Sequence, residues 1–331
     1  MSGARVLVTG ARGFLGRHLV GELIKRDASV VVVVRPGGLQ LPSEWASRVE
    51  VREWDLKDGR RPQGVFQGVG TVVHLVAKYL PGSSGRTLEE LRGWNVKPLA
   101  GVISACLESG VRRLMHLSSV AACEFSSGNV VTEDGGEPVT AYGRSKRESE
   151  ELLHAIPTTR LAWTIFRPTA LYGEHGLGTM AEIVRALEKR RFAIFGDGNN
   201  AVNFSYAGNI AAAMLKCEGM PVTHGRTYIL SDGGIPLVEL DRTLREILGF
   251  SGRSLRLPVW AGYAAGLFLD AVSLLTRKRM PLSLARVRAA TVDRVYSADR
   301  LRVEVGFKPP FGFREALERT IRWYREQGVI D

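Results

Sequence analysis

Short apolar runs alternate with amphipathic segments along the first half of the chain. At helical spacing, Leu19 and Val20 are followed by Leu23 and Ile24, and similar patterns lie between most of the apolar runs. Strands that alternate with helices form a parallel sheet with helices on both faces, so the pattern predicts an α/β fold with a doubly wound parallel sheet. The predicted strands cover residues 5–9, 29–34, 49–52, 71–75, 113–118 and 162–166.

A glycine-rich turn joins the first predicted strand to the first predicted helix. The stretch TGARGFLG at 9–16 places Gly10, Gly13 and Gly16 at this junction. The N–H groups at the start of a helix point at whatever fills such a turn, which makes it an anion site. A second apolar strand at 28–34 completes a βαβ unit, and we therefore predict a dinucleotide site rather than an ordinary tight turn.

Composition excludes several classes of protein. The chain has 331 residues and a net charge of +11, but its basic residues are scattered and no nucleic-acid recognition motif is present, so we predict no nucleic-acid partner. Cys106, Cys123 and Cys217 are widely spaced, which favours a reducing cytoplasmic compartment. Neither they nor the histidines have the spacing of metal ligands, so we predict no metal site.

One apolar segment, residues 257–275, allows two interpretations. It is either a packed helix of a soluble domain or a helix that lies on an anionic membrane surface, peripheral to the inner membrane face. A spanning helix is disfavoured by Pro258, Gly262, Gly266 and Asp270. The membrane interpretation depends on the basic residues at both ends, namely Arg253, Arg256, Arg277, Lys278 and Arg279.

Two polar stretches contain candidate catalytic residues. Tyr142 and Lys146 are four residues apart, so a helix places the phenol and the ammonium on one face. A phenol with an ordinary pKa of about 10 transfers protons poorly at neutral pH, and a nearby ammonium favours the phenolate. Ser119 follows a predicted strand, at the sheet edge where ligands of such folds bind. Its hydroxyl can bind an oxygen that changes between alcohol and carbonyl.

Taken together, these motifs resemble those of the extended short-chain dehydrogenase/reductase family, over essentially the whole chain. The resemblance implies a Rossmann domain at 1–170 and a smaller, mainly helical substrate domain at 171–331, with 195–215 returning to the Rossmann sheet. It also implies a homodimer formed through two long helices of each subunit. The matching stretches are TGARGFLG, Asp55-Leu56, VVHLVA at 72–77, Trp94-Asn95-Val96, the Tyr142 to Lys146 motif, Arg167-Pro168 with Tyr172-Gly173, and residues 195–214.

The resemblance also implies a role for each matching residue. Tyr142 is the general acid or base, Lys146 its partner and the ribose anchor, Ser119 the donor to the substrate oxygen, and Asn95 a structural helper. Ser118 is the alternative to Ser119, one residue away. The implied cofactor-binding residues are Gly10, Arg12, Gly13, Phe14, Leu15, Gly16, Arg35, Asp55, Leu56, Leu75, Ala77, Tyr142, Lys146 and Pro168.

Charge at the end of the second strand favours NADP. NAD-binding relatives of this fold place a carboxylate there for the ribose hydroxyls, whereas this chain has Arg35. A guanidinium attracts a 2′-phosphate, and Arg12 adds a second cation. In the alternative interpretation, Arg35 stacks on the adenine and the cofactor is NAD.

Departures from the family narrow the expected reaction. Dehydratases carry Asp-Glu where this chain has Val120 and Ala121, which disfavours dehydration, and Thr169-Ala170 and Asn203 do not match the diphosphate-holding residues of sugar-nucleotide enzymes. We therefore expect hydride transfer at a secondary alcohol or ketone, of the 3β-hydroxysteroid dehydrogenase type, on a steroid-like, lipid or sugar-nucleotide substrate. The alternatives are a nucleotide-sugar epimerase or 4-ketoreductase, and a non-catalytic NADP-sensing regulator.

Overall fold

The computed structural model describes residues 5–38, 41–58, 61–78, 87–123, 129–276, 280 and 282–331. The chain divides into two compact units. Unit 1 comprises Met1–Thr169, Ser205–Ser231 and Ser297–Phe311, and unit 2 comprises Ala170–Phe204, Asp232–Tyr296 and Gly312–Asp331. That one domain binds the cofactor and the other binds the substrate stays a prediction.

The described strands and helices alternate along the first half of the chain. The strands are β1 (Arg5–Thr9), β2 (Val30–Val34), β3 (Val49–Glu53), β4 (Val69–His74), β5 (Arg113–Leu117), β6 (Val130–Val131), β7 (Ala162–Pro168), β8 (Ala170–Tyr172), β9 (Ala193–Phe195), β10 (Ala201–Tyr206), β11 (Arg226–Leu230), β12 (Gly234–Pro236), β13 (Leu255–Leu257) and β14 (Val295–Tyr296). The α-helices are α1 (Phe14–Lys25), α2 (Leu88–Asn95), α3 (Lys97–Glu108), α4 (Ala141–His154), α5 (Thr179–Glu188), α6 (Ala207–Glu218), α7 (Leu237–Leu248), α8 (Val259–Thr276), α9 (Leu284–Thr291), α10 (Asp299–Val305) and α11 (Phe313–Glu326).

A seven-stranded sheet forms the centre of unit 1. Its strand order is β3-β2-β1-β4-β5-β7-β11, and every neighbouring pair is parallel. Parallel strands are covered on both faces, and accordingly Leu7, Val31, Val72, Leu114 and Ile165 are all fully buried in one core cluster. The predicted doubly wound parallel sheet is confirmed, and the six strands expected from the sequence are all present.

The last strand of this sheet differs from the sequence expectation for 195–215. Of the strands in that range, β10 pairs with β12 in a separate three-stranded sheet. The edge position beside β7 is taken instead by β11, whose residues Thr227 to Leu230 are buried. The helix α6 does lie in unit 1 and packs on α1, so it serves as the crossover that leads into β11.

Unit 2 consists of helices and short strands. Its sheets have the orders β12-β10-β8 and β13-β9. The helices α7 and α11 each bury one apolar face, with Leu240 and Leu244 on α7 and Leu317 and Ile321 on α11. By length and composition alone, α8 is long and apolar enough to cross a membrane, and 11% of it is buried within the protein.

Candidate active site

The glycine turn between β1 and α1 is built from close backbone contacts. Gly10 has a φ of +74°, and a Cβ added there would lie 3.1 Å from the carbonyl carbon of Leu75. A Cβ added at Gly16 would overlap the carbonyl oxygens of Gly10 and Ala11. Side chains are therefore excluded at both positions, which leaves a bare backbone cradle at the start of α1, the arrangement that phosphate groups bind.

A cleft of about 170 Å³ opens beside this turn. It brings together six of the predicted cofactor-binding residues: Gly10, Arg12, Gly13, Arg35, Asp55 and Leu56. The same cleft is lined by Val76, from the matching stretch 72–77, and by residues for which the sequence predicted no contact with the cofactor, namely Ala11, Val33, Val34, Trp54, Lys57, Trp94 and Pro98. The carboxyl ends of β1, β2 and β3 thus converge on one site, as expected for a dinucleotide.

Two arginine side chains lie beside the turn that follows β2. The Arg35 guanidinium lies 3.6 Å from the Asp55 carboxylate, and both side chains are partly exposed. Arg12 extends toward Gly38, where an added Cβ would lie 2.8 Å from Arg12 Nη1. A glycine at position 38 therefore leaves room for the Arg12 guanidinium beside the 35–38 turn.

The sequence indicates Trp94 only as part of a family motif, but in the structure its indole ring makes cation–π contacts at the cleft. The ammonium groups of Lys57 and Lys78 lie 3.8 Å and 4.2 Å from the centre of its ring system. Cations at this distance are attracted to the indole face. Because these lysines come from separate loops, no sequence spacing signals the contact.

Helix α4 carries Tyr142 and Lys146 one turn apart. The Thr140 hydroxyl caps the helix by accepting a hydrogen bond from the Gly143 N–H at 3.0 Å. A Cβ at Gly143 would overlap the carbonyl oxygen of Ala121, so only glycine permits this approach between α4 and the 3₁₀ turn at Val120–Cys123. The first turn of α4, which holds Tyr142, is thereby held against the segment that follows Ser119.

Lys146 is fully buried, one turn after Tyr142 on this helix. Its Nζ donates a hydrogen bond of 2.6 Å to the carbonyl oxygen of Leu117, the last residue of β5. Burial lowers the pKa of Lys146 to about 8, and the Glu150 carboxylate partly opposes that shift. At neutral pH the ammonium is still the main form, so a positive charge is present at the carboxyl end of β5.

The neighbouring serines have different surroundings. Ser118 is buried and its hydroxyl donates to the Glu150 carboxylate, which also binds the buried Arg167 guanidinium at 2.6 Å. Ser119 is only partly buried, and its Oγ accepts a hydrogen bond of 3.2 Å from the Ala121 N–H. Sequence analysis missed the Glu150–Arg167 pair, for which the arginine of the Arg167-Pro168 motif was the available signal.

Asn95 lies at the end of α2, fully buried. Its side-chain Nδ2 donates to Ser145 Oγ at 2.9 Å, and its side-chain Oδ1 accepts from the backbone N–H of Lys78 at 2.9 Å. Ser145 in turn donates to the Tyr142 carbonyl oxygen at 2.7 Å. Asn95 thus connects the loop after β4 to the first turns of α4.

Two histidines stack in the core next to Lys146. His74 and His116 are paired residues of β4 and β5, with ring centres 5.6 Å apart. His74 Nδ1 is hydrogen-bonded to Thr9 and His116 Nε2 to Ser149. Burial, and secondarily the Lys146 charge, lowers the pKa of His74 to about 3 and that of His116 well below its ordinary value. Both rings are therefore neutral.

The remaining predicted residues lie near the same sheet edge, outside the set that lines the cleft. Leu15 is buried in α1, and the Phe14 ring contacts His18 edge-on, with ring centres 5.7 Å apart. Leu75 and Ala77 follow β4, and Pro168 is the buried last residue of β7. Together with the bare glycine cradle, this arrangement fits a dinucleotide that extends along the carboxyl edge of the sheet.

Comparison with known proteins identifies the family. Residues 6–229 match the family described as NAD dependent epimerase/dehydratase family. The chain is 25% identical to N-acetyl-alpha-D-glucosaminyl-diphospho-ditrans,octacis-undecaprenol 4-epimerase from Escherichia coli O157:H7, over 96% of this chain and 94% of that protein. It is 26% identical to 3beta-hydroxysteroid-dehydrogenase/decarboxylase isoform 1 from Arabidopsis thaliana, over 95% of this chain and 78% of that protein.

A solved structure supports the fold. MoeE5 in complex with UDP-glucuronic acid and NAD superimposes with a TM-score of 0.75 over 98% of this chain and 100% of that one, at 23% identity. The family match covers more than half of the chain and confirms the resemblance drawn from the motifs. The chain therefore belongs to the NAD-dependent epimerase/dehydratase family of extended short-chain dehydrogenases/reductases and is an enzyme of that family.

Proposed function

We propose that this enzyme is an NADP-dependent dehydrogenase or reductase that interconverts a secondary alcohol and a ketone, of the 3β-hydroxysteroid dehydrogenase type. The observation that carries the proposal is the close approach of Gly143 to Ala121. It holds the first turn of α4, with Tyr142, against the segment that begins at Ser119. A phenol and a serine hydroxyl are the two groups that this reaction needs around one substrate oxygen.

Each group has a defined task in this proposal. The Tyr142 hydroxyl gives a proton to the substrate oxygen during reduction and takes it back during oxidation. Ser119 donates a hydrogen bond to the same oxygen, and its partial exposure favours it over the buried Ser118. The Lys146 ammonium favours the phenolate when Tyr142 gives up its proton. Asn95 is a positioning residue, because its side-chain amide donates a hydrogen bond to Ser145 of α4.

The nicotinamide, when bound, supplies or accepts the hydride. Gly10, Gly13 and Gly16 hold the diphosphate in the glycine cradle, and Asp55 and Leu56 contact the adenosine half. Arg35 and Arg12 bind the 2′-phosphate, which makes NADP the preferred cofactor. The Asp55 carboxylate also holds Arg35 at the end of β2.

The cofactor assignment has its own test. We expect Arg35→Asp to weaken NADPH binding by about tenfold or more and to leave NADH binding unchanged or improved, since a carboxylate repels the 2′-phosphate. Fluorescence titration of wild type and variant with both cofactors measures the preference. An unchanged preference in the variant would show that Arg35 does not bind the 2′-phosphate.

A nucleotide-sugar epimerase or 4-ketoreductase is the second candidate. It is favoured by the 4-epimerase relative, whose alignment covers 96% of this chain. Epimerisation uses the same tyrosine and lysine, so the substrate decides between the two. The departures at Thr169, Ala170 and Asn203 from the diphosphate-holding pattern of sugar-nucleotide enzymes are the reason for ranking it second.

One assay tests the proposed reaction. The purified protein is incubated with NADPH and a panel of ketosteroids, prenyl ketones and keto-sugar nucleotides, and absorbance follows the hydride. We expect oxidation of NADPH with an apolar ketone, loss of that activity in Tyr142→Phe, and unchanged cofactor affinity in the variant. Turnover that survives in Tyr142→Phe would remove Tyr142 from the reaction.

The proposal also includes a cytoplasmic homodimer formed through two long helices of each subunit. The three described cysteines are buried and free, which suits a reducing compartment. Sedimentation analysis of the purified protein tests the dimer, and a monomer at micromolar concentration would remove it.

A further inference from the structure

Helix α8 exposes a continuous apolar stripe. Single exposed apolar side chains are ordinary on soluble proteins, whereas a row of large ones along one helix marks an interaction surface. Five large apolar side chains of α8 are more than half exposed, and the intervals of seven and eight positions among them place them on one face of the helix. We call them the α8 stripe: Trp260 (73% exposed), Leu267 (63%), Phe268 (67%), Leu274 (80%) and Leu275 (86%).

The opposite face of α8 is packed within unit 2. A Cβ at Gly262 would lie 2.7 Å from the Phe195 ring, and a Cβ at Gly266 would lie 2.9 Å from the backbone nitrogen of Leu284. The two glycines therefore let the helix lie directly on β9 and on the start of α9. Because Gly262 and Gly266 face the protein, the α8 stripe on the opposite side of the helix is open to a partner.

Charge around the stripe is positive. Asp270 is the one acidic residue in 251–292, and its carboxylate accepts a hydrogen bond from the Leu284 N–H at 3.0 Å. Arg253 and Arg256 are exposed just before the helix. The sequence continues after Thr276 with Arg277, Lys278 and Arg279, which lie outside the described residues.

We propose that the α8 stripe docks on the surface of an anionic phospholipid bilayer, with the helix lying parallel to it. An apolar face flanked by basic residues and carrying an exposed tryptophan is the chemistry that such a surface recognises. A second copy of this chain fits less well, since an isologous pair of these faces brings basic ends together. The proposal is independent of the reaction and stands on exposure and charge.

Vesicle flotation of the full-length protein tests the proposal. The probes are vesicles of phosphatidylcholine with and without phosphatidylglycerol. We expect flotation with the anionic vesicles, and a loss of about tenfold or more in the double variant Leu267→Glu/Leu274→Glu, because two exposed apolar side chains that would enter the bilayer are replaced by charges. The matched control is Val303→Glu, which adds a carboxylate at another exposed apolar side chain, 77% exposed on α10 of unit 1, and should float like wild type.

Folding, charge and self-association are checked on the same proteins. Cofactor binding by the double variant shows that it is folded. A second variant, Arg253→Gln/Arg256→Gln, should reduce flotation and leave cofactor binding unchanged. Flotation of the double variant equal to that of wild type would overturn the proposal. A second result would also overturn the proposal: the wild type does not float, and sedimentation shows that the wild type self-associates while the double variant does not. The α8 stripe would then be an interface between copies of the chain. Hydride transfer is measured in a separate assay, so failure of the membrane proposal would leave the proposed function untouched.

Discussion

Gly143 lies so close to Ala121 that a Cβ on the glycine would occupy the space of the alanine carbonyl oxygen. The neighbour is backbone, so it cannot rotate away as a side chain would. Gly143 follows Tyr142 directly, and any shift that relieves the overlap moves the tyrosine. The contact makes one glycine a determinant of the geometry of the site.

We predict that Gly143→Ala lowers kcat/KM by about a hundredfold and destabilises the protein by about 1–3 kcal/mol, because the added methyl group pushes the first turn of α4 away from Ser119. Steady-state kinetics and thermal unfolding measure the two effects. Gly21→Ala in α1 is the matched control, since a Cβ there meets nothing within 4 Å. That variant should be fully active and slightly more stable. Wild-type activity in Gly143→Ala would show that the contact does not place Tyr142.

We predict that Lys146→Met abolishes turnover and weakens cofactor binding, yet stabilises the protein at neutral pH by up to about 3 kcal/mol. The folded pKa of Lys146 is about 8, below its ordinary 10.5, so the buried ammonium costs stability at neutral pH. Between these two values the unfolded chain binds more protons, and wild-type stability should rise with pH. Denaturant unfolding of both proteins measures this difference, and parallel pH dependences would contradict the prediction.

The buried histidine pair should make the protein sensitive to acid. The unfolded chain protonates His74 near its ordinary pKa of 6.5, whereas the folded pKa is about 3. Stability is therefore lost as pH falls below 6.5, by up to about 1.4 kcal/mol per pH unit for each histidine. We predict that His116→Leu roughly halves the part of this slope that comes from the pair. Unfolding free energies measured between neutral and mildly acidic pH give the slope, and an equal slope in wild type and variant would show that His116 does not contribute.

Loss of the Glu150 carboxylate should be among the most damaging changes in unit 1. Arg167 is 3% exposed and Glu150 is fully buried, so Glu150→Gln leaves a buried guanidinium without its counter-charge. We predict a destabilisation of about 3–5 kcal/mol. Glu151→Gln, next in sequence but exposed, is the control and should change stability by less than about 0.5 kcal/mol. Equal melting temperatures for the two variants would show that Arg167 finds another partner.

Features with a local origin could be predicted from the sequence. The strands of the parallel sheet are runs of apolar residues, and the glycine turn follows from three glycines between a strand and a helix. The cation at the end of β2 follows in the same way from the position of Arg35. Such features depend on neighbours in the chain, which periodicity and motif spacing record.

Features that join distant segments could not be predicted. The contact of Trp94 with Lys57 and Lys78, and the room that Gly38 leaves for Arg12, depend on how separate loops meet at the sheet edge. The edge strand β11 was missed because its five residues follow a short 3₁₀ turn and carry no motif. In each case the contact depends on segments that are brought together by folding, so the spacing of residues along the sequence does not reveal it.

Unit 1 is built from three separate stretches of the chain, and this affects how the protein folds during synthesis on the ribosome. Its last segment, Ser297–Phe311, contributes Glu304, whose carboxylate binds the Tyr228 hydroxyl, and Phe311, whose backbone is paired with the Asn209 amide. The nascent chain therefore cannot complete the unit that carries Tyr142 and Lys146 until Phe311 has been translated. The edge of the large sheet stays incompletely covered until then, and a prematurely terminated chain would be a substrate for chaperones and proteases rather than a partly active enzyme.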